Sequence, residues 1–335
     1  MKQTEAFLVG DIGATNARLS LAHLPAGAKS AAAVTLSYTD VLPVADQTSA
    51  PALIEAYLAR QPELDTAGLA GACLALAGPR EQADGDSSVQ LVNAPLNFVQ
   101  SALAAQLGCP VSLMHDFSAI AGAIATYDDA TLTALHRLGD AGPAAGPRAV
   151  LGPGTGLGVG GLLPTASGWE ILASEGGHAG LAPADPLEAE VLGILLREYE
   201  YVCWETVLSG PGLMRLYGAV CELWACRQEV SAPSDLLAAA VDELEPVCHQ
   251  TLELFCSLLG SAAASLVLTL GARGGLFLAG GVLPRMQGFL QESQFRTRFD
   301  ERGPLSGYCQ RVPVYLLDDP WVGLRGAALR ATQVI

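Results

Sequence analysis

Short apolar runs bounded by glycine-bearing turns punctuate this chain from its first residues. Ala6-Phe7-Leu8-Val9 is a continuous apolar run of strand length, and Ala17-Arg18-Leu19-Ser20-Leu21 alternates with the two-residue period of a strand that buries one face. The turn between them predicts a β-hairpin. Further strands are predicted at 71–77, 111–114, 149–151, 275–279 and 312–317, and helices near 52–60, 101–107, 186–199, 212–223, 234–244 and 247–270. Strands and helices in alternation predict an α/β fold.

The opening plan recurs. Residues 149–162 repeat the strand, Gly/Thr turn and apolar strand of residues 6–21, and Gly139-Asp140-Ala141-Gly142-Pro143-Ala144-Ala145-Gly146-Pro147 before them is the best candidate linker. The recurrence fits two related halves, but identity between them is too low to separate that from two unrelated tight hairpins. The turns are Asp11-Ile12-Gly13-Ala14-Thr15-Asn16 and Gly152-Pro153-Gly154-Thr155-Gly156-Leu157-Gly158. Glycine permits positive φ and close approach to an anion, so that amide N–H groups converge on phosphate oxygens while a Thr hydroxyl adds a donor. Two such turns can hold a polyphosphate from two sides.

Composition narrows the class. A chain of 335 residues is expected to form two domains, and with 50% apolar and 16% charged residues it has ample material for a core. The net charge of −16 argues against nucleic-acid binding, which rests on clustered Lys and Arg. Lys2 and Lys29 are the only lysines, so no G-x-x-x-x-G-K-[ST] loop exists and phosphates must be held without lysine. The eight cysteines contain no C-x-x-C pair and mostly sit among apolar residues, which predicts buried free thiols in a reducing compartment. No signal-peptide order opens the chain, so a cytoplasmic location is expected. Residues 254–272 lack charge and nearly suffice to cross a bilayer, but their small residues and the closing Gly271 predict a buried helix and no membrane role.

The chain resembles the bacterial glucokinases of the actin-like ATPase superfamily over nearly its whole length. The resemblance is carried by six motifs in order: Leu8-Val9-Gly10-Asp11-Ile12-Gly13-Ala14-Thr15-Asn16-Ala17-Arg18, His115-Asp116-Phe117-Ser118-Ala119, residues 152–158, Gly176-Gly177-His178, Val207-Leu208-Ser209-Gly210-Pro211-Gly212-Leu213, and Ala279-Gly280-Gly281-Val282-Leu283-Pro284-Arg285. No N-terminal helix-turn-helix and no Cys-rich zinc loop occur, unlike the repressor/kinase family of the same fold.

Transfer of a phosphoryl group to a sugar hydroxyl needs a carboxylate beside the attacking oxygen. Asp116 follows a predicted strand, at the edge where α/β ligand sites form. Taken alone it could equally cap the helix beginning near Phe117; the resemblance implies that it is the catalytic base. The resemblance likewise implies a sugar clamp of Glu175, His178 and Glu205, with His115 and Asn93 as further sugar contacts. Alone, Glu175-Gly-Gly-His178 could be half of a metal site, Glu205 a helix-surface charge, and Asn93 an ordinary turn residue. Nucleotide contacts are implied for Gly10, Asp11, Gly13, Ala14, Thr15, Asn16, Gly154, Thr155 and Gly156, and for Gly280 and Gly281 at the adenosine. Asp11 would order the Mg²⁺ of ATP through water, since Mg²⁺ retains much of its hydration.

Three positions depart from the family pattern. His115 stands where Asn usually precedes the base, Gly180-Leu181 replaces an Asp-Phe pair after His178, and Ala14 replaces the usual second glycine of the first turn. The resemblance implies an actin-like (ribonuclease H-like) two-domain α/β sugar kinase, with ATP and a hexose meeting in an interdomain cleft and the 6-hydroxyl of glucose attacking the γ-phosphate to give glucose 6-phosphate. The expected domains are 1–125 plus 319–335, with a returning helix near 323–332, and 126–318; a homodimer is implied. The alternatives are a kinase for mannose, fructose or an amino sugar, and a catalytically weak sugar sensor.

Overall fold

The computed structural model describes residues 4–64, 66–92, 94–241 and 245–333. The chain divides into two compact units, Met1–Asp128 with Asp319–Ile335, and Asp129–Asp318.

In the first unit, β1 (Thr4–Ile12), β2 (Asn16–Pro25), β3 (Thr35–Pro43) and β4 (Gly71–Leu76) precede a small sheet of β5 (Arg80–Ala83), β6 (Asp86–Gln90) and β7 (Asn97–Val99), and β8 (Val111–His115) follows. The main sheet has the order β3-β2-β1-β4-β8. Its first three strands pair antiparallel, whereas β1–β4 and β4–β8 are parallel. Every residue of β4 is buried, which its Gly-Ala-Cys-Leu-Ala-Leu sequence suits. The helix Ala50–Ala59 starts where Ser49 accepts from Ala52 N–H and lays Leu53, Ile54 and Tyr57 into the core. The helices Asp116–Ile124 and Val322–Ala331 cross closely because position 326 is glycine: a Cβ there would overlap the carbonyl of Ala119.

The second unit holds β9 (His136–Arg137), β10 (Arg148–Pro153), β11 (Leu157–Thr165), β12 (Gly168–Ser174), β13 (Gly275–Leu278) and β14 (Val314–Leu316), in the order β12-β11-β10-β13-β14-β9. Its first five strands repeat the order and directions of the main sheet of the first unit, and β9 adds an antiparallel edge. The second hairpin therefore opens a repeated topology rather than an unrelated turn. The long helix Pro246–Leu270 starts at Glu245, whose carboxylate accepts from Cys248 N–H, and stops at Gly271 with φ 63°. It is long and apolar enough to cross a membrane, yet most of it is buried within this unit.

Several boundaries differ from the sequence expectation. The helix expected over 186–199 ends at Leu195, and the strand expected over 312–317 is Val314–Leu316. The helix expected over 234–244 is Pro233–Val241, with 242–244 outside the described residues. Strands β3, β5 and β12 lie at sheet edges and are largely exposed, so none needs a long apolar run, while β6 and β7 are short strands that bury only Ser87, Val89 and Phe98. Positive φ, expected to shape the two phosphate turns, is absent from both, so Ala14 meets no conformational obstacle there.

Candidate active site

In the first unit, the β1–β2 hairpin places Asp11 opposite Arg18, with 3.6 Å between carboxylate and guanidinium. Burial pushes the Asp11 carboxyl above the ordinary carboxylate range, and Arg18 opposes the shift only in part. The returning helix presses on the same carboxylate: a Cβ at Gly323 would lie 2.9 Å from Asp11 Cγ and Oδ2. The turn is closed by Gly13 N–H donating to Asn16 C=O at 3.0 Å, and Thr15 C=O accepts from Val44 N–H at 2.9 Å. Thr15 and Asn16 are exposed at the tip. Gly10 is buried in the sheet instead, where a side chain would meet Leu74 Cδ2 at 2.8 Å.

Two strands over from β1, β8 ends at His115 and a helix begins at Asp116 itself. The carboxylate thus stands at the carboxyl edge of parallel strands and in the first turn of a helix, where the helix dipole favours negative charge. Asp116 Oδ1 accepts from Phe117 N–H at 2.7 Å and lies 3.2 Å from His115 Nδ1. Asn93 lies outside the described residues.

The second unit gathers the remaining candidates around the β10–β11 turn. Gly154 N–H donates to Gly156 C=O at 2.8 Å and closes it, leaving the Thr155 side chain exposed. Gly210, the first residue of the helix Gly210–Leu223, donates its N–H to Gly154 C=O at 2.8 Å, which sets that helix N-terminus against the turn. Its N-cap Ser209 accepts from Gly212 N–H at 3.0 Å. Gly280, with φ 92°, packs so closely on Pro153 that any Cβ would overlap the Pro153 carbonyl; glycine is required there on both counts. Next to it, Gly281 faces open space.

Glu175 precedes, and His178 ends, a single 3₁₀ turn held against β11 because Gly177 permits contact with the Leu157 carbonyl. Glu205 lies in the first turn of the helix Trp204–Val207 and reaches back to the β10–β11 turn, where its Oε2 accepts from Leu157 N–H at 2.9 Å. Its other oxygen, Oε1, stands 3.9 Å from His178 Nε2. Thus Glu175, His178, Glu205, Gly154, Thr155, Gly156, Gly280 and Gly281 share one neighbourhood of this unit. Among the described residues no group of three His, Cys, Asp or Glu could hold a metal ion.

Three residues missing from the expected set belong to these surroundings. Arg18 could have been found, because positions 11 and 18 are symmetric about the first turn and must pair if it closes. Gly323 lies 312 positions from Asp11, counted 323 minus 11, and no local signal links them. Cys203 touches His178 only because the chain doubles back there.

A family model described as Glucokinase matches residues 8–334. A glucokinase from Saccharophagus degradans is 38% identical over 332 residues, which is 98% of either chain. This chain belongs to the glucokinase family. The crystal structure of a glucokinase from an Antarctic psychrotroph, 36% identical, superposes with a TM-score of 0.80 over 99% of this chain and 100% of that one. A glucokinase from Balamuthia mandrillaris in complex with glucose shares the fold at 21% identity, with a TM-score of 0.82 over 98% of this chain and 94% of that one.

Proposed function

We propose that this glucokinase-family chain transfers the γ-phosphoryl group of ATP to the 6-hydroxyl of D-glucose. The observation that carries the reading is the bond from Leu157 N–H to Glu205: a carboxylate of the sugar clamp rests on the turn proposed to hold phosphate, as direct transfer between sugar and nucleotide requires. Glucose hydroxyls are bound by Glu175, His178 and Glu205, with His115 and Asn93 as further contacts. Planar carboxylates and an imidazole suit paired hydrogen bonds to neighbouring hydroxyls.

Asp116 accepts the proton of the 6-hydroxyl as that oxygen attacks phosphorus. The lysine-free phosphate site draws on the amides and Thr hydroxyls of the two turns, Thr15 and Thr155 included, and on the N-terminus of the helix Gly210–Leu223. Gly280 and Gly281 leave room for the adenosine. Asp11 fits a water-mediated Mg²⁺ partner, since a carboxylate that burial drives toward neutrality gains from a nearby divalent cation. A Mg²⁺ held there would offset the charge on the ATP phosphates. A homodimer in the cytoplasm completes the proposal, and eight free thiols suit that compartment.

The test is ADP release by the purified protein with ATP, Mg²⁺ and a panel of glucose, mannose, fructose and glucosamine. Glucose as the preferred acceptor upholds the proposal. Preference for another hexose, or ADP release no faster with sugar than without, overturns it.

A further inference from the structure

The segment 178–181 is clipped to the segment 201–205 by two backbone bonds and one from a side chain. Leu181 N–H donates to Val202 C=O, Trp204 N–H donates to Ala179 C=O, each at 3.0 Å, and Tyr201 O–H donates to the His178 carbonyl at 2.9 Å. This clip brings a thiol to the imidazole of the sugar clamp: Cys203 Sγ lies 3.9 Å from His178 Nδ1, on the opposite side of the ring from Glu205. Cys203 is buried, so its sulfur is committed to protein neighbours rather than water.

The polar groups around this sulfur define a direction. Cys203 N–H donates to Thr206 Oγ1 at 3.1 Å, and Thr206 Oγ1 lies 3.4 Å from Cys203 Sγ. With a lone pair of Oγ1 taken by the amide, the Thr206 O–H can point at the sulfur. The thiol proton then has His178 Nδ1 as its acceptor.

We infer that Cys203 is a positioning residue that sets the tautomer of His178: S–H donates to Nδ1, so the neutral ring carries its proton on Nε2. The inference rests on His178 serving the sugar. It completes an unbroken donor sequence, Thr206 O–H to Cys203 sulfur, Cys203 S–H to Nδ1, and Nε2–H to a ligand oxygen. The 3.9 Å between Nε2 and Glu205 Oε1 is too long for a direct hydrogen bond, but it suits a hydroxyl that accepts from Nε2–H and donates to the carboxylate. With the proton on Nδ1, Nε2 would be an acceptor beside a carboxylate that is also only an acceptor, and one hydroxyl could not satisfy both. Tautomer control by the partner on the far ring nitrogen is a general property of histidine.

The experiment is long-range ¹H–¹⁵N correlation on ¹⁵N-histidine-labelled protein at a pH where the rings are neutral, with the His178 signal assigned through His178→Gln. The sequence has five histidines, so the spectrum is tractable. The full chain should show the Nε2–H form at His178. Cys203→Ala should shift the population toward Nδ1–H, and Cys203→Ser, which keeps a donor, should restore Nε2–H. In kinetics, Cys203→Ala should raise the glucose KM roughly two- to tenfold, the cost of one misplaced hydrogen bond, with kcat and the ATP KM nearly unchanged. An unchanged His178 tautomer in folded Cys203→Ala protein overturns the inference. A tautomer that shifts while the glucose KM stays constant upholds tautomer control and instead removes His178 from the sugar clamp.

Discussion

Glu205 and Gly156 are complementary in shape: the carboxylate occupies the space that a side chain at position 156 would fill, and from there it receives Leu157 N–H at 2.9 Å. The glycine of the turn proposed to hold phosphate therefore also sets the place of a carboxylate proposed to hold the sugar. Gly156→Ala should push Oε2 off the Leu157 amide, leaving that amide unpaired and the carboxylate displaced. Losing such a charge-assisted bond costs about 1.5–3 kcal/mol, so the glucose KM should rise by roughly ten- to a hundredfold. Steady-state kinetics checks this, and a glucose KM within twofold of the parent would show that Glu205 does not hold the sugar.

Asp116→Asn should abolish most phosphoryl transfer while leaving nucleotide binding nearly intact. The carboxylate sits in the first turn of a helix with Oδ1 anchored by Phe117 N–H, and an amide can keep that anchor through its own oxygen while losing basicity. Removing a general base costs on the order of 10²–10⁴-fold in rate. Turnover within threefold of the parent, measured beside ATP binding by calorimetry, would remove Asp116 from the role of base.

The hairpins, the buried strands and the position of Asp116 were legible because each rests on a local signal: an apolar run, a glycine turn, a carboxylate just past a strand. Edge strands such as β3 and β5 were not, since their residues face solvent and carry no apolar period. The expectation of positive φ in the turns failed for a related reason. Glycine at 156 answers to a neighbour distant in sequence, the Glu205 carboxylate, rather than to its own dihedral angles. Cys203 read as one more buried thiol, because its contact with His178 spans 25 positions. Of the eight cysteines, Cys226 alone is exposed, so the expectation of buried thiols holds for the other seven.

Asp11→Asn should stabilise the metal-free protein at neutral pH while impairing turnover. Burial raises the folded-state pKa of Asp11, so between the unfolded and folded values the native state holds more protons than the unfolded chain, and stability falls as pH rises through that window. Above the window the desolvation penalty is fully present, and the neutral amide removes it. Thermal unfolding in EDTA should therefore give a higher Tm for the variant at pH 7, by roughly 2–4 °C per kcal/mol recovered, with the advantage vanishing as pH falls below the ordinary carboxylate range. In activity assays the variant should need more Mg²⁺ than the parent. Coincident Mg²⁺ titration curves would reassign Asp11, whatever the thermal data show.

His115→Asn should tighten glucose binding or move the hexose ranking toward glucose. The imidazole is largely buried, and its Nδ1 stands 3.2 Å from the same Asp116 oxygen that receives Phe117 N–H. A substitution at this position is therefore expected to act on the proposed base as well as on sugar binding. Asparagine carries a donor and an acceptor on one compact amide, whereas a neutral imidazole carries one of each on opposite sides of a larger ring, so the two cannot meet the same pair of hydroxyls. A misplaced hydrogen bond to a neutral group costs about 0.5–1.5 kcal/mol, roughly a two- to tenfold change in affinity. Because the ring also borders the carboxylate, kcat should shift together with the glucose KM, which separates this residue from Cys203, whose removal should act on KM alone. Hexose profiles measured side by side decide the matter: identical rankings, KM and kcat in parent and variant would show that His115 packs beside the base without touching the sugar.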